Sequence, residues 1–236
     1  MTRTELATPA RVLAIGAHPD DIEFGCGATL ATWARAGTRV ELAVLTDGSK
    51  GSWDPAGDPA ELTARRRDEQ QAAAGILGAA DVHFLDAVDG ELDAGAPMRA
   101  RVCELIRSAR PDIVLGHDPW KQYRLHPDHR YAGQLVIEGI VAARDPHFFA
   151  DRGSPHRPAH LLLFEAQVVD HIEAVDDDAI ACKIAALLCH RSQWRSTMGI
   201  EATAADADAQ RRAFENRIRN EISAARGEPF KLVSDL

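Results

Sequence analysis

The chain has 236 residues, 45% of them hydrophobic, with 27 Lys plus Arg against 36 Asp plus Glu, for a net charge of −9. That length suits one large domain or two small ones, and that composition is typical of a soluble globular protein. The acidic balance leaves no basic stripe for nucleic acid, and no run of about 18 apolar residues is there to span a membrane.

Met1 to Ala10 is short, polar and free of an apolar stretch, which is not the pattern of a secretory signal. Val12–Gly16 (VLAIG) reads as a buried strand ending in glycine, Thr29–Ala36 as helical and closed by Gly37, and Val40–Thr46 as a second strand. A Gly/Ser/Asp/Pro-rich loop runs from Asp47 to Pro59. Glu61–Leu77 follows as a helix, with Gly78 as its stop. Val82–Leu85 is a short strand, Met98–Ala109 a helix ending before Pro111, and Ile113–Gly116 a fourth strand. A loop from His117 to Pro127 leads to a helix reaching about Arg144, where Asp128 is placed to cap orphan backbone N–H groups. Arg152–Pro158 is a polar loop, Leu161–Val175 looks extended, and Asp177–His190 and Ala204–Ala225 read as helices. Cys26, Cys103, Cys182 and Cys189 form no CxxC pair and are read as reduced thiols of a cytoplasmic protein.

Strands alternating with helices predict an α/β fold, a mostly parallel sheet covered on both faces. With no repeats and no clear linker, residues 1–236 are taken as a single domain, with the region after about Phe148 as a C-terminal lid or appendage. Ligands bind beyond the C-terminal strand ends of such sheets. Ala17-His18-Pro19-Asp20-Asp21 leaves the first strand, and His126-Pro127-Asp128-His129 ends the loop after the fourth. Both clusters therefore fall on one edge.

Together they offer a divalent-metal site. His18 and Asp21 are spaced H-x-x-D on a loop stiffened by Pro19, and His129 supplies a third donor. Three protein ligands with an open position make a catalytic site. Two His and one carboxylate suit Zn2+, but also Fe2+ or another divalent ion. Asp20, a spare carboxylate beside a ligand, is the candidate general base. His126 is placed to stabilise an oxyanion or to protonate a leaving amine. Asp128 has two readings side by side, orienting His126 or capping the helix.

AHPDD after the first strand with HPDH downstream resembles the LmbE/PIG-L family of zinc-dependent N-deacetylases, over nearly the whole chain from about Arg11. Thr46-Asp47-Gly48, and Arg66 three residues before Glu69, add to the likeness. The resemblance implies a Rossmann-like sheet and hydrolysis of an N-acetyl group, usually on a glucosamine. It implies zinc on His18, Asp21 and His129, Asp20 as base, and His126 stabilising the tetrahedral intermediate. Arg66 and, less closely matched, Arg157 fall where the family has substrate-facing arginines. Many members carry a glutamate soon after the glycine of the second-strand loop; here Ser49-Lys50-Gly51-Ser52-Trp53 stands instead. Related proteins are often oligomers, which makes a homo-oligomer an expectation.

Other residues have blander readings. Trp53, Trp120 and Tyr123 are read as anchors of their own loops, with stacking on a sugar ring as the alternative. His117-Asp118 is read as no ligand pair, His190 as a residue suited to a helix C-terminus, and Gly25 and Gly27 as close-packing positions. No GxGxxG is formed with Gly16, so no dinucleotide site is expected. The leading expectation is a deacetylase of an N-acetylated amino sugar. The alternatives are an amidase of the same kind acting on a larger acyl group or thiol conjugate, and a non-catalytic binding module on the same α/β frame.

Overall fold

The structure is a computed structural model that describes residues 6–236; residues 1–5 of the Met1–Ala10 segment lie outside the described residues. In chain order the elements are β1 (Arg11–Gly16), α1 (Asp21–Arg35), β2 (Arg39–Thr46), α2 (Pro59–Leu77), β3 (Asp81–Ala87), α3 (Ala96–Ala109) and β4 (Ile113–His117). They continue with α4 (Pro127–Arg144), β5 (His160–Phe164), β6 (His171–Glu173), α5 (Asp177–Cys189), α6 (Ala207–Ala225) and β7 (Glu228–Val233). Among the described residues they form one seven-stranded sheet in the order β3-β2-β1-β4-β5-β7-β6. β1 pairs in parallel with β2 and β4, β2 with β3, and β4 with β5; β7 runs antiparallel to both β5 and β6.

The apolar runs of β1 and β4 are those of strands buried on both faces. Successive side chains of β1 enter opposite cores, as the two-residue period of a strand requires. Val12 and Ala14 pack with Leu30 of α1, Leu77 of α2, Ile184 of α5 and Ile218 of α6. Leu13 and Ile15 pack with Ile106 of α3 and with Val136 and Ile140 of α4. The last third of the chain is thus part of the sheet and its cover, through β5–β7 and α5, rather than standing apart. Its tight turns over Arg191–Met198 reach back to the loop after β2, where Gln193 Nε2 donates to the Gly51 carbonyl at 3.2 Å. No helix among the described residues is long and apolar enough to cross a membrane.

Local chemistry explains the helix ends. Asp58 caps α2, its carboxylate accepting from the Ala60 N–H at 2.8 Å, and Gly78 closes it in the left-handed conformation at φ 77°. α1 starts at Asp21, well before the predicted Thr29, and is broken at Cys26, which has φ −151°. A side chain at Gly25 would collide with the Phe164 ring. The second half of α1 begins against Glu228 of β7, whose carboxylate accepts from Ala28 N at 3.2 Å and Thr29 N at 2.6 Å. Lys183 of α5 neutralises that buried carboxylate at 2.6 Å. The cap of α4 is His126, with Pro127 at the first helical position. Asp128 therefore lies one residue inside the helix and does not cap it.

β1 and β4 are neighbours, yet their chain continuations diverge, to β2 on one side and β5 on the other. That reversal opens a crevice at the C-terminal strand ends.

Candidate active site

The crevice gathers the loop after β1, the start of α1, the loops after β2, β3 and β4, and the start of α4. His18, Asp20, Asp21, Asp89, His126 and His129 all line a cavity there of about 400 Å3. Donor atoms of three residues converge within it, both carboxylate oxygens of Asp21 among them. His18 Nδ1 lies 3.2 Å from His129 Nε2 and 3.3 Å from Asp21 Oδ2, and His129 Nε2 lies 3.3 Å from Asp21 Oδ1. Donors about 2.0–2.1 Å from a tetrahedral ion stand about 3.3–3.4 Å apart, so each of these separations is that of two ligands sharing one zinc-type ion. Other groupings that could hold an ion overlap this set: His18 with His126 and His129, Asp21 with His117 and His129, and His18 with Asp89, His126 and Asp128.

The surrounding contacts orient these donors. The far nitrogen of His18, Nε2, faces Asp128 Oδ2 at 3.1 Å and Asp89 Oδ1 at 3.1 Å. A proton on that nitrogen leaves Nδ1 as a lone-pair donor, the usual arrangement of a metal-binding imidazole. Asp128 is fully buried and also accepts from Gly90 N at 2.7 Å and Leu92 N at 3.3 Å. Its hydrogen bond therefore goes to His18, and the pairing with His126 expected from the sequence is not formed. Entering at the first turn of α4, its carboxylate reaches the loop after β3, and no hydrogen bond joins it to the exposed His126 ring.

Asp21 accepts from the His18 N–H at 2.7 Å and lies 3.2 Å from His117 Nε2. Burial alone would raise its carboxyl, but His129 and His117 hold it well below the ordinary value. His117, the last residue of β4, is 1% exposed and stacks on His129 with centroids 4.5 Å apart and planes 11° from parallel. Read from the sequence as no ligand, it sits directly behind two of the three donors. Arg124 is buried beside both rings, 3.0 Å from His117 Nδ1 and 3.1 Å from His129 Nδ1, and pairs with Glu165 at 2.7 Å. Burial raises the Glu165 carboxyl, but the His117 hydrogen bond and the Arg124 charge outweigh it and hold it at about 2. One contact runs against coordination: a ring binding through Nε2 carries its proton on Nδ1, where Arg124 offers only donors. Arg124 has to leave His129 for that ring to bind an ion.

Asp20 is 6% exposed and left-handed, with φ 102°. Its N–H donates to Gln70 Oε1 at 3.1 Å, and Gln70 Nε2 donates to Glu23 Oε1 at 2.6 Å. Burial pushes the Asp20 carboxyl up to about 6; the Arg66 guanidinium opposes the rise and the Asp21 charge adds to it. Beneath it, His190 and Glu23 are both fully buried, 3.5 Å apart. Burial disfavours the charged His190 ring, but Glu23 more than compensates and raises its pKa. His126 is the exposed member of the cluster, its ring edge-on to His18 at 4.6 Å. Burial and the neighbouring rings of His18 and His129 lower its pKa.

Arg66 is 3% exposed. Its Nη2 donates to the Pro19 carbonyl at 2.6 Å and its Nη1 to the Gly48 carbonyl at 3.0 Å, so its guanidinium braces two loops of the cavity. Arg157 is not brought to the cluster. It precedes β5, so the length of that strand, about 16 Å at roughly 3.3 Å per residue, separates it from the C-terminal edge. Its nearest charge there is Asp235, 3.8 Å away. Trp53 lines the cavity and is 81% exposed, while Trp120 and Tyr123 are 69% and 86% exposed. Sequence reasoning missed Asp89, Glu23, Gln70, Arg124 and Glu165. The one usable signal was positional, since Asp89 and Glu165 follow strands that end at this edge.

Residues 13–140 match the family described as GlcNAc-PI de-N-acetylase, PIG-L. A diacetylchitobiose deacetylase of Thermococcus kodakarensis is 43% identical over 138 residues, 58% of this chain and 52% of that protein. A 1D-myo-inositol 2-acetamido-2-deoxy-alpha-D-glucopyranoside deacetylase of Kineococcus radiotolerans is 32% identical over 169 residues, 58% of this chain and 46% of that protein. The chain thus spans about half the length of these curated relatives. Among solved structures, N,N'-diacetylchitobiose deacetylase from Pyrococcus horikoshii superposes with a TM-score of 0.83 at 28% identity, covering 96% of this chain and 84% of that one.

Proposed function

The chain belongs to the PIG-L family, and on that premise we propose that it is a single-domain, metal-dependent hydrolase removing the acetyl group from an N-acetylglucosamine-type sugar. The observation that carries this reading is the convergence of His18 Nδ1, His129 Nε2 and the two Asp21 oxygens, at separations of 3.2–3.3 Å, beside the buried carboxylate of Asp20. We assign these three as the ligands. Two ring nitrogens and one carboxylate suit Zn2+, with Fe2+ chemically compatible. A bound divalent ion supplies Lewis acidity, polarising the amide carbonyl and making water acidic near neutral pH.

The chain's own groups do the rest. Asp20 accepts the proton of the attacking water, and its raised pKa of about 6 makes it a competent base near neutral pH. His126, with its pKa lowered and its ring at the cavity, is neutral there and donates an N–H to the amide oxygen as charge develops on it. The water oxygen bonds to the acetyl carbon and the C–N bond breaks. The proton held by Asp20 passes to the departing amine, leaving acetate and a free amino sugar. Asp89 and Asp128 hold the His18 ring, and Gln70 holds the Asp20 backbone. Arg66 braces the loops and also lines the cavity, which keeps it as a substrate-facing residue of this reading.

The test is acetate release by metal-loaded protein from N-acetylglucosaminides with different aglycones. Release supports the reading. One ion per chain with no release from any of them would turn the reading to the larger-acyl amidase.

A further inference from the structure

The loop after β2 is held in place without any help from its tryptophan. Ser49 N donates to Asp47 at 3.0 Å and Lys50 N to Asp89 at 3.0 Å, while Arg66 and Gln193 bind the Gly48 and Gly51 carbonyls at 3.0 and 3.2 Å. Trp53, two residues further on, is 81% exposed. An indole that anchored the loop would be buried, and leaving so large an apolar face in water is unfavourable. Its position explains it. The cavity of about 400 Å3 and a second one of about 170 Å3 share Gly51, Trp53 and Ser196, so Trp53 stands at their junction.

The second cavity has a particular chemistry. Apart from Trp53 it is walled by polar groups, including Ser52, Asp54, Ser192 and Arg195. A pyranose ring has an apolar C–H face and a rim of hydroxyls, which matches one aromatic face edged by hydroxyl, carboxylate and guanidinium groups. An alkyl aglycone would need a continuous apolar lining, and a phosphate would meet Asp54 beside Arg195.

We propose that Trp53 is the stacking platform of a second-sugar subsite, so that the substrate is a disaccharide or longer saccharide whose neighbouring ring lies in the smaller cavity. This rests on the amino-sugar reading above and names its substrate class.

The probes are N,N'-diacetylchitobiose and N-acetylglucosamine, titrated calorimetrically into zinc-loaded Asp20→Asn protein so that neither is consumed. The disaccharide is expected to bind about tenfold more tightly, an aromatic-contact effect. Adding Trp53→Ala should bring the ratio of the two affinities close to one, and Trp53→Phe should restore part of it. Trp120→Ala, on an exposed loop outside both cavities, should leave the ratio at its original value. Indole emission should also shift to the blue when the disaccharide covers Trp53. A preference that survives Trp53→Ala, an equal loss for both sugars, or binding of neither would each overturn the subsite. The two readings fail separately. Trp53-dependent binding without acetate release by the unmutated protein keeps the subsite and sinks the deacetylase, whereas release indifferent to the second ring and to Trp53→Ala does the reverse.

Discussion

Asp128→Ala separates two roles that one carboxylate combines. The fully buried side chain accepts from the Gly90 and Leu92 N–H groups and faces His18 Nε2 at 3.1 Å. Removing it leaves two backbone donors without a partner, a cost of about 3 kcal/mol in total, or about 6–12 °C in Tm for a chain of this length. It also frees the His18 ring. Loss of such an orienting group typically weakens metal affinity about 10–100-fold, and the low end is expected because Asp89 still faces the same nitrogen at 3.1 Å. Asp128→Asn keeps an acceptor oxygen, so its Tm should fall less. Adding Asp89→Asn should deepen the metal defect. Chelator competition gives the metal Kd, and calorimetric melting gives Tm. A Tm drop with metal Kd unchanged in both Asp128→Ala and the Asp89→Asn/Asp128→Asn pair would refute the orienting role. The acid limb has a defined sign. Burial raises the Asp89 and Asp128 carboxyls, but their hydrogen bonds to His18 lower them more. The stability they lend the metal-free protein is full above about pH 4 and fades as the pH falls below it.

Asp20→Asn should lower kcat by about 10^2–10^4 while metal content, by atomic absorption, stays at one ion per chain; near-normal turnover would remove Asp20 as base. Lys183→Met strands the buried Glu228 carboxylate and should cost about 3–5 kcal/mol in denaturant unfolding, more than Glu228→Gln, which leaves an acceptor for Ala28 and Thr29. Equal Tm in Lys183→Met and the parent protein would contradict that assignment. Arg157→Ala should shift stability by less than about 0.5 kcal/mol and leave kcat/KM unchanged, whereas Arg66→Met should loosen the loops at Pro19 and Gly48 and lower kcat. A kcat/KM loss in Arg157→Ala would place that residue at a site its own subunit does not form.

The two clusters were legible because each carries its chemistry locally, as H-x-x-D and as H-x-x-H with a proline, and because strand alternation alone puts both at one sheet edge. What was not legible depends on partners distant in sequence. The helix before Thr29 was not read from Gly25-Cys26-Gly27, and Glu228, on a strand not evident in the sequence, caps the resumed helix. That strand, β7, is short, has Pro229 near its start and owes its place to antiparallel pairing with β5. Asp128 was read as orienting His126 or capping α4, both favoured by proximity in sequence, while the first turn of α4 brings the carboxylate to His18. Arg157 matched a family position by its neighbours in sequence, yet the direction of β5 carries it to the opposite edge. His117 looked bland since no motif marks it, though as the last residue of β4 it had to point into the crevice.

The central claim is that one divalent ion on His18, Asp21 and His129 makes this chain an amino-sugar deacetylase. The most direct test is acetate released from N,N'-diacetylchitobiose by protein carrying one equivalent of Zn2+, before chelation, after it, and after the ion is restored. Release, its loss and its return are expected, with no release from His129→Ala under any of the three conditions. Release that persists in the metal-free protein, or in His129→Ala, would contradict the claim.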